Sequence, residues 1–135
     1  MREILFKAKR IDNGEWEIGS LVVLPNGECE IANKCQNPPD SDPMWRKCVI
    51  THKIDPSTIC QYTGLTDKNG QKIWENDVVQ YCDCTVENYV IAWEADKACF
   101  EYQQYGCSIM NFDELSGIEV EVIGNIFDNP ELINE

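Results

Sequence analysis

The stretch ICQYTGLTDKNGQKIWENDVVQY, residues 59–81, decides the fold class, because turn signals alternate in it with short apolar runs. Residues 67–70 (DKNG) end in Asn-Gly, the pair that most readily takes positive φ at both centres of a type I′ turn, so two short strands are expected to pair across them. Residues 74–81 pass from a polar bend into an apolar strand, and Gly64 marks a bend or bulge. The stretch therefore predicts β-hairpins.

The rest of the chain repeats this pattern of short strands and turns. Residues 4–9 alternate apolar and basic side chains, and residues 16–24 continue as a second strand. Further short strands are expected near residues 29–31, 89–93, 100–102 and 118–126. The predicted turns are Asp12-Asn13-Gly14, Pro25-Asn26-Gly27 and Asp55-Pro56-Ser57-Thr58, with Asp55 bonding the backbone two residues on. Asn129-Pro130-Glu131-Leu132 predicts one turn of helix with Asn129 as its N-cap. These elements predict a mostly β fold, a small barrel or a barrel-like meander of short antiparallel strands, with at most one or two short helices.

At residues 61–79 the pattern QYTGL-x-DKNG-x-x-I-aromatic-x-x-D-V-V resembles the signature of the YopX-like family of phage and prophage proteins. Residues 1–22 are similar to the usual start of that family and residues 120–133 to its usual end. Two departures stand out: Asn76 occupies a position where the family more often has glycine, and Ile18-Gly19-Ser20 replaces a more aromatic turn. The resemblance implies a mostly β intracellular protein of mobile genetic elements, without an established molecular role.

Composition favours one domain in the cytosol of a bacterial host. The chain has 135 residues and 43% hydrophobic residues, enough for one core, so we expect a single β domain over residues 1–135, or two subdomains with a loop around residues 33–44. No apolar run approaches the roughly 18 residues that span a bilayer. The first residues lack the apolar stretch of a secretory signal. We therefore expect no membrane association.

Eight cysteines invite a disulfide or a metal interpretation. Without a sign of export, reduced structural thiols are the prediction, because reducing cytosol keeps thiols free. Cys48, His52, Cys82 and Cys84 offer the donors of a tetrahedral zinc site, yet Cys-x-Cys is tighter than the usual ligand spacing. We therefore expect no metal and no cofactor, and whether these four side chains meet in space stays open.

Charge divides the chain in two. Residues 1–72 contain ten acidic and ten basic residues, whereas residues 73–135 contain fourteen acidic residues and the single base Lys97, within a net charge of −13. A face of acidic side chains would repel nucleic-acid phosphates, so direct DNA binding by this half is not expected. The residues expected on that face are Asp83, Glu87, Glu94, Asp96, Glu101, Asp113, Glu114, Glu119 and Glu121. Arg2, Lys7, Lys9 and Arg10 form a small basic cluster at the start, too small to indicate a nucleic-acid site.

These patterns favour a non-enzymatic accessory protein that acts as a protein interaction module. Its partner is another copy, through head-to-tail pairing of unlike ends, or a protein of the host or phage. The alternative is an acidic decoy that mimics DNA and inhibits a host nucleic-acid-binding protein. Simple solubility is the third explanation of the acidic half.

Catalytic signals are sparse. No nucleotide-binding glycine loop and no His-Glu-x-x-His occurs, and the one histidine, His52, has no glycine elbow beside it. We therefore expect no enzyme and no catalytic residues. Candidate binding residues come from the family signature, although turn geometry and packing explain most of them equally well. They are Tyr62, Thr63, Gly64, Asp67, Asn69, Gly70, Trp74 and Asp77.

Overall fold

The structure, a computed structural model, describes residues 3–34, 49–81, 88–96, 98–104, 107–111 and 120–133. Its strands all belong to two antiparallel sheets, one with six strands and one with five. The strands are β1 (Phe6–Lys9), β2 (Trp16–Val23), β3 (Cys29–Lys34), β4 (Val49–Ile54), β5 (Cys60–Thr66), β6 (Lys72–Trp74), β7 (Asp77–Tyr81), β8 (Asn88–Glu94), β9 (Cys99–Gln104), β10 (Cys107–Asn111) and β11 (Val120–Asn125).

The prediction of a mostly β fold of short antiparallel strands is confirmed. Within the described residues each sheet has two edge strands, so the meander forms without closing into a barrel. The helical content of this part of the chain is two single turns of 3-10 helix, Pro56–Thr58 and Pro130–Leu132. No helix in the described ranges is long and apolar enough to cross a membrane.

The chain forms two compact units, the first comprising Glu3–Gln61 and the second mainly Tyr62–Glu135. In the first unit the neighbours run in the order β4, β3, β2, β1, and the first residues of β5 pair with β1. Alternation places Phe6, Ala8 and Leu21 on one side of this sheet. The side chains buried there are Ala8, Cys29, Ile31 and Ile54, with Phe6, Leu21 and Ile59 packed against them.

Two details of the first unit add to the sequence prediction. Gly19 lies inside β2, within the strand predicted for residues 16–24, and a Cβ atom there would collide with the backbone oxygen of Ala32 on β3. Glycine is required at this position because the neighbouring backbone approaches too closely for a side chain. Asn33 and Lys34 belong to β3, so they are not part of the predicted 33–44 loop, and the remainder of that loop lies outside the described residues.

The second unit contains the sheet β10, β9, β8, β7, β11 and the hairpin of β5 with β6. Its core joins one β6 residue to side chains from four strands of that sheet, and Tyr89 and Tyr102 meet edge to face with centroids 6.3 Å apart. The core residues are Ile73, Val79, Tyr89, Ile91, Tyr102 and Val120. Burying each large apolar side chain stabilises the fold by about 1.5–3 kcal/mol.

The predicted turn at residues 55–58 and the predicted helical turn at residues 129–132 both contain a single turn of 3-10 helix, with different caps. The Asp55 carboxylate accepts a hydrogen bond from the Ser57 amide at 3.0 Å, as predicted for that turn. Asn129 occupies the N-cap position of the second turn, but its side chain makes no capping bond. Its Oδ1 instead accepts a bond from the Asn125 amide at 3.2 Å, which ties this turn back to the end of β11.

Candidate functional site

The hairpin loop at the centre of the family signature is not the type I′ turn that Asn-Gly predicts. Gly70 alone of that pair has positive φ, at 81°, and its amide donates to the Asp67 oxygen at 3.0 Å. The Asp67 amide in turn donates to the Gln71 oxygen at 2.8 Å, which leaves a three-residue loop, Lys68–Gly70. This is the type I turn followed by a left-handed glycine that three-residue hairpins commonly use.

The Asp67 carboxylate holds this loop to strand β11. Its Oδ1 accepts hydrogen bonds from the amides of Asn69 at 2.8 Å and Gln71 at 2.9 Å, and its Oδ2 accepts one from Val122 at 3.0 Å. The side chain is buried, with 4% exposure. Burial alone raises the pKa of this carboxyl, but the three backbone donors, helped by the charge of Lys68, outweigh it and hold the pKa below its usual value.

The aromatic residues of the signature pack against one another across the β5–β6 hairpin. Tyr62 and Trp74 are direct cross-strand partners, with ring centroids 5.5 Å apart. Gly64, at φ 93°, lies where the register shifts between Tyr62 and Thr66, so the predicted bulge is confirmed. The Thr63 hydroxyl donates to the Ile73 oxygen at 2.8 Å and accepts from Leu65 at 3.3 Å, which fixes the backbone through the bulge.

A tight bend joins β6 to β7. The buried Asp77 carboxylate accepts a hydrogen bond from the Trp74 amide at 2.8 Å, and Asn76 has φ 72° in the left-handed region. Asparagine tolerates that region better than most side chains, which explains how this position can be filled without glycine. The Asn76 amide donates to the Ile91 oxygen at 2.7 Å. The structure thus places all eight candidate residues in the segment from β5 to β7, where the bonds described join them to one another and to neighbouring backbone such as that of Val122, and a binding role for them stays a prediction.

His52 and its surroundings form a second polar cluster, in the first unit. The His52 Nε2 atom lies 3.9 Å from Glu17 Oε1, which also accepts from Arg10 Nη1 at 3.4 Å. Glu17 Oε2 accepts from Asn33 Nδ2 at 3.1 Å. Arg10 also makes two bonds to the Asp12 carboxylate, at 2.7 and 2.9 Å, and they hold the Asp12 pKa below its usual value.

A shallow pocket of about 280 Å³ lies beside this cluster, lined by Arg10, Ile11, Asp12, Thr51, His52 and Lys53. Of the four predicted zinc donors, Cys48, Cys82 and Cys84 lie outside the described residues. No group of three or more metal-ligating side chains occurs in the part of the chain that the structure describes. Cys29 and Cys60 are buried thiols, and the Cys60 thiol donates to the Thr58 oxygen at 3.3 Å.

Sequence reasoning missed one surface, the side of the first sheet that faces away from its core. Lys7 and Lys9 pair across the β1–β2 ladder with Ile18 and Trp16. The Lys7 Nζ atom lies 4.7 Å and the Lys9 Nζ atom 5.4 Å from the centre of the Trp16 ring. Ile18 is 49% exposed. We call these four residues, with Ser20 and Val22 farther along β2, the lysine–tryptophan face.

The predicted basic cluster is therefore divided between two sides of the sheet. Lys7 and Lys9 contribute to the lysine–tryptophan face, whereas Arg10 pairs with Asp12 and Glu17; Arg2 lies outside the described residues. The signal for this face was present in the sequence, because the alternation of residues 6–9 and 16–22 places these side chains on one side. The register across the intervening turn was needed to bring them together.

The predicted acidic face needs one correction. Glu101 is fully buried, because it lies in the middle of β9 between β8 and β10. Asp96 is exposed and Glu94 is half-buried, while the Glu121 carboxylate lies 3.5 Å from Lys68 Nζ. The other five residues of the predicted face, Asp83, Glu87, Asp113, Glu114 and Glu119, lie outside the described residues.

Comparison with known proteins shows a family match and a solved structure of similar fold. A family model described as YopX protein matches residues 6–134. Among solved structures, protein EF1440 from Enterococcus faecalis is similar over 99% of this chain and 100% of its own, with a TM-score of 0.59 and 20% sequence identity. At that identity the likeness shows a shared fold alone. Among curated proteins no significant match was found.

Proposed function

The chain belongs to the YopX family, and from that premise we propose that it is a non-enzymatic accessory protein of a phage or prophage that binds a protein partner in the bacterial cytoplasm. The observation that carries the proposal is the lysine–tryptophan face. It combines an aromatic ring, an exposed aliphatic side chain and two ammonium groups in a chain of net charge −13. Aromatic side chains dominate the binding energy of many protein interfaces, and unlike charges guide association.

The chemistry of the face specifies the kind of partner. Lys7 and Lys9 pair with Ile18 and Trp16 on the β1–β2 ladder. The nearby Arg10 charge is offset by Asp12 and Glu17 on the other side of the sheet, so the lysines supply the positive charge of the face. A partner with carboxylates around an apolar contact fits this arrangement.

The polar cluster around His52 supports the non-enzymatic part of the proposal. Nucleophilic catalysis needs a base aimed at a nucleophile within about 2.6–3.2 Å. The nearest described acidic group to His52 is Glu17, at 3.9 Å, and the Glu17 carboxylate already accepts bonds from Arg10 and Asn33. This arrangement is that of a structural polar network, which links Arg10, the residue after β1, to side chains of β2, β3 and β4.

An acidic decoy that inhibits a host nucleic-acid-binding protein is the second candidate function. Asp96, Asp128 and Glu131 expose their side chains in the second unit, and they favour this candidate. Glu101, being buried, contributes nothing to such a surface. A decoy would engage its target through carboxylates and would not need the lysine–tryptophan face.

A tagged pull-down from bacterial lysate, at low and high salt, tests both candidates. The double variant Lys7→Glu/Lys9→Glu is expected to lose the partner, and the recovered protein, once purified, is expected to bind the unmodified chain directly. Lys72→Glu is the matched control, because Lys72 also lies over an aromatic ring, 5.1 Å from that of Tyr62, but outside the face. Equal capture by all three chains would overturn the proposed use of the face.

The decoy hypothesis predicts a different result in the same experiment. Capture of a nucleic-acid-binding protein that survives Lys7→Glu/Lys9→Glu, but is lost with Asp128→Lys/Glu131→Lys and at high salt, would favour the decoy. Melting temperatures of all variants, compared with the unmodified chain, separate a lost contact from a lost fold.

A further inference from the structure

Strand β4 (Val49–Ile54) lies at one edge of the first sheet, and its outer side is covered only at one end. The Lys53 carbonyl oxygen accepts a hydrogen bond from the Ile11 amide at 3.1 Å, and Ile54 makes an isolated bridge to the residue before Ile11. The chain turns away from β4 after that point. Within the described residues, Val49–His52 therefore has a paired strand on the β3 side alone.

Thr51 directs its backbone groups to this open side. The residues of an antiparallel strand point their N–H and C=O groups alternately to the two sides of the strand. The register of β4 with β3 is unbroken, so the backbone groups of Thr51 point the same way as the Lys53 carbonyl, which meets Ile11. In the described part of the chain no backbone group bonds to Thr51 on that side. An unpaired N–H and C=O at a sheet edge are a template for a further strand.

The outer side of another edge strand, β11, is covered instead. The Val122 amide donates to the Asp67 carboxylate at 3.0 Å, and the Val120 oxygen accepts from the Lys68 amide at 3.0 Å. Where proteins leave an edge open, they commonly protect it with proline, lysine or inward-pointing charges. Residues 49–52 (VITH) contain no proline, lysine or carboxylate. The open part of β4 therefore lacks both kinds of protection.

The side chains around this edge offer an apolar contact and a recess. Ile50 is 42% exposed, on the same side of β4 as His52. The pocket of about 280 Å³ lies where Ile11 stops covering the strand, and Thr51, His52 and Lys53 line it from β4. Ile11, which also lines it, is 66% exposed. An added strand thus finds backbone partners at Thr51, an aliphatic contact at Ile50 and space for a side chain beside Ile11.

We propose that an extended segment of a partner protein adds to β4 as an antiparallel strand along residues 49–52. Antiparallel is the orientation of every ladder that the structure describes. The residue opposite Thr51 exchanges two backbone hydrogen bonds with it, and the residue opposite Ile50 packs an aliphatic side chain on Ile50. This inference goes beyond the proposed function, because the β4 edge is a separate site that does not use the lysine–tryptophan face.

Charge selects a segment of another protein rather than a second copy of this chain. Every copy carries a net charge of −13, so two copies repel each other. At the recess, Arg10 is bonded to the Asp12 carboxylate at 2.7 Å, and Lys53 lies opposite Glu30 on the β3–β4 ladder. Both basic side chains therefore have an acidic neighbour. The long-range field of the chain attracts a segment that carries lysine or arginine beside its aliphatic residue.

The probe for this site is a capped peptide of alternating threonine and valine with lysines at both ends. Amide NMR spectra are expected to change at residues 49–53, and bound peptide is expected to slow hydrogen exchange at the Thr51 amide by at least about tenfold. Two methylated forms of the peptide test the backbone pairing. N-methylation of the threonines removes the donors that face β4 and is expected to abolish binding. N-methylation of the valines, whose amides face away, is expected to leave the dissociation constant within about twofold.

Substitutions at Thr51 provide the matched test in the protein. Thr51→Pro removes the amide donor from the outer side of an edge strand, where proline is tolerated, and is expected to weaken peptide binding at least about tenfold. Thr51→Ala keeps the amide and is expected to bind the peptide normally. Lys7→Glu/Lys9→Glu is also expected to bind it normally, so a failure of the β4 edge and a failure of the lysine–tryptophan face are distinguishable.

Any of three results overturns the proposal: millimolar peptide leaves the Thr51 amide unchanged, the two methylated peptides bind equally well, or Thr51→Pro binds as tightly as Thr51→Ala. Melting temperatures show whether Thr51→Pro keeps its fold, and if it does not, the methylated peptides decide on the unmodified chain. Sedimentation tests the other occupant. If the unmodified chain associates with itself and Thr51→Pro does not, a second copy fills the edge and the partner segment proposed here is wrong.

Discussion

Two hairpin loops of this protein have the same backbone and different surroundings. Pro25–Gly27 is closed by the Leu24 amide bonded to the Glu28 oxygen at 2.8 Å and the Gly27 amide bonded to the Leu24 oxygen at 2.9 Å. Lys68–Gly70 is closed by the equivalent two bonds between Asp67, Gln71 and Gly70, at 2.8 and 3.0 Å. The glycine that ends each loop has a left-handed φ, 90° in the first and 81° in the second.

The residue before each loop differs, being Leu24 in the first and Asp67 in the second. In the first loop Asn26, which lies inside the loop, accepts a bond at its Oδ1 from the Glu28 amide at 2.9 Å in an exposed setting, and that bond stays local. In the second loop the buried Asp67 carboxylate reaches Val122 on β11, and the Lys68 amide donates to the Val120 oxygen at 3.0 Å. The same local turn therefore serves as a simple reversal in one unit and as a tertiary attachment in the other.

Removing the Asp67 carboxylate should produce the largest effect. Asp67→Ala leaves the Asn69, Gln71 and Val122 amides without their acceptor in part-buried hydrogen bonds, and each such loss costs about 1–3 kcal/mol. We expect the free energy of unfolding to fall by about 3–5 kcal/mol. Asn26→Ala, which removes a side-chain acceptor from the exposed loop, should cost at most about 1 kcal/mol. Urea titrations of both variants measure the difference, and similar losses would contradict a tertiary role for Asp67.

The same carboxylate predicts a pH dependence that the first loop lacks. The folded pKa of Asp67 lies below its usual value, so its ionised form stabilises the folded state above the unfolded pKa of about 3.9. That stabilisation is lost as pH falls through the folded pKa. The destabilisation caused by Asp67→Asn should therefore be largest at neutral pH and shrink below about pH 4. Melting temperatures measured against pH for both chains provide the test, and a constant difference would contradict it.

The local features of these loops could be predicted from the sequence, whereas the contacts between residues far apart in the chain could not. Alternating residues and Asn-Gly pairs located the strands and the reversals, because both signals are short-range. The turn type was wrong at Asn69-Gly70, since the dipeptide fits two loop lengths and the closing pair of Asp67 with Gln71 selects the longer one. The bond from Val122 to Asp67 spans 55 residues, and no local pattern encodes it.

The candidate surfaces show the same limit. Lys7 and Lys9 were recognised as basic residues, but their position over Trp16 depends on the register of β1 with β2. Glu101 was assigned to a solvent-exposed face on charge alone, whereas its place between two neighbouring strands buries it. In both cases the missing information was which strands are neighbours, and composition does not carry it.

Substituting the two loop glycines separates backbone strain from tertiary attachment. A Cβ added at Gly27 or Gly70 would meet no atom within 4 Å, and both residues have positive φ. Alanine in the left-handed region costs roughly 1–2 kcal/mol. We therefore expect Gly27→Ala and Gly70→Ala to lower the free energy of unfolding by this amount, and to agree within about 0.5 kcal/mol. A much larger loss at Gly70 would mean that the attachment to β11 depends on the shape of its loop.

Asn76 extends the comparison to a left-handed position that this chain fills without glycine. Asn76→Ala and Asn76→Gly both remove the side-chain amide, so their difference isolates the φ of 72° from any contact that the asparagine makes. The alanine variant should be less stable than the glycine variant by about 1 kcal/mol, because alanine resists the left-handed region. Urea titrations of the two variants measure it. Equal stabilities would mean that the β6–β7 bend relaxes to a negative φ once the amide is gone, and that the Asp77 bond to Trp74 alone does not hold its shape.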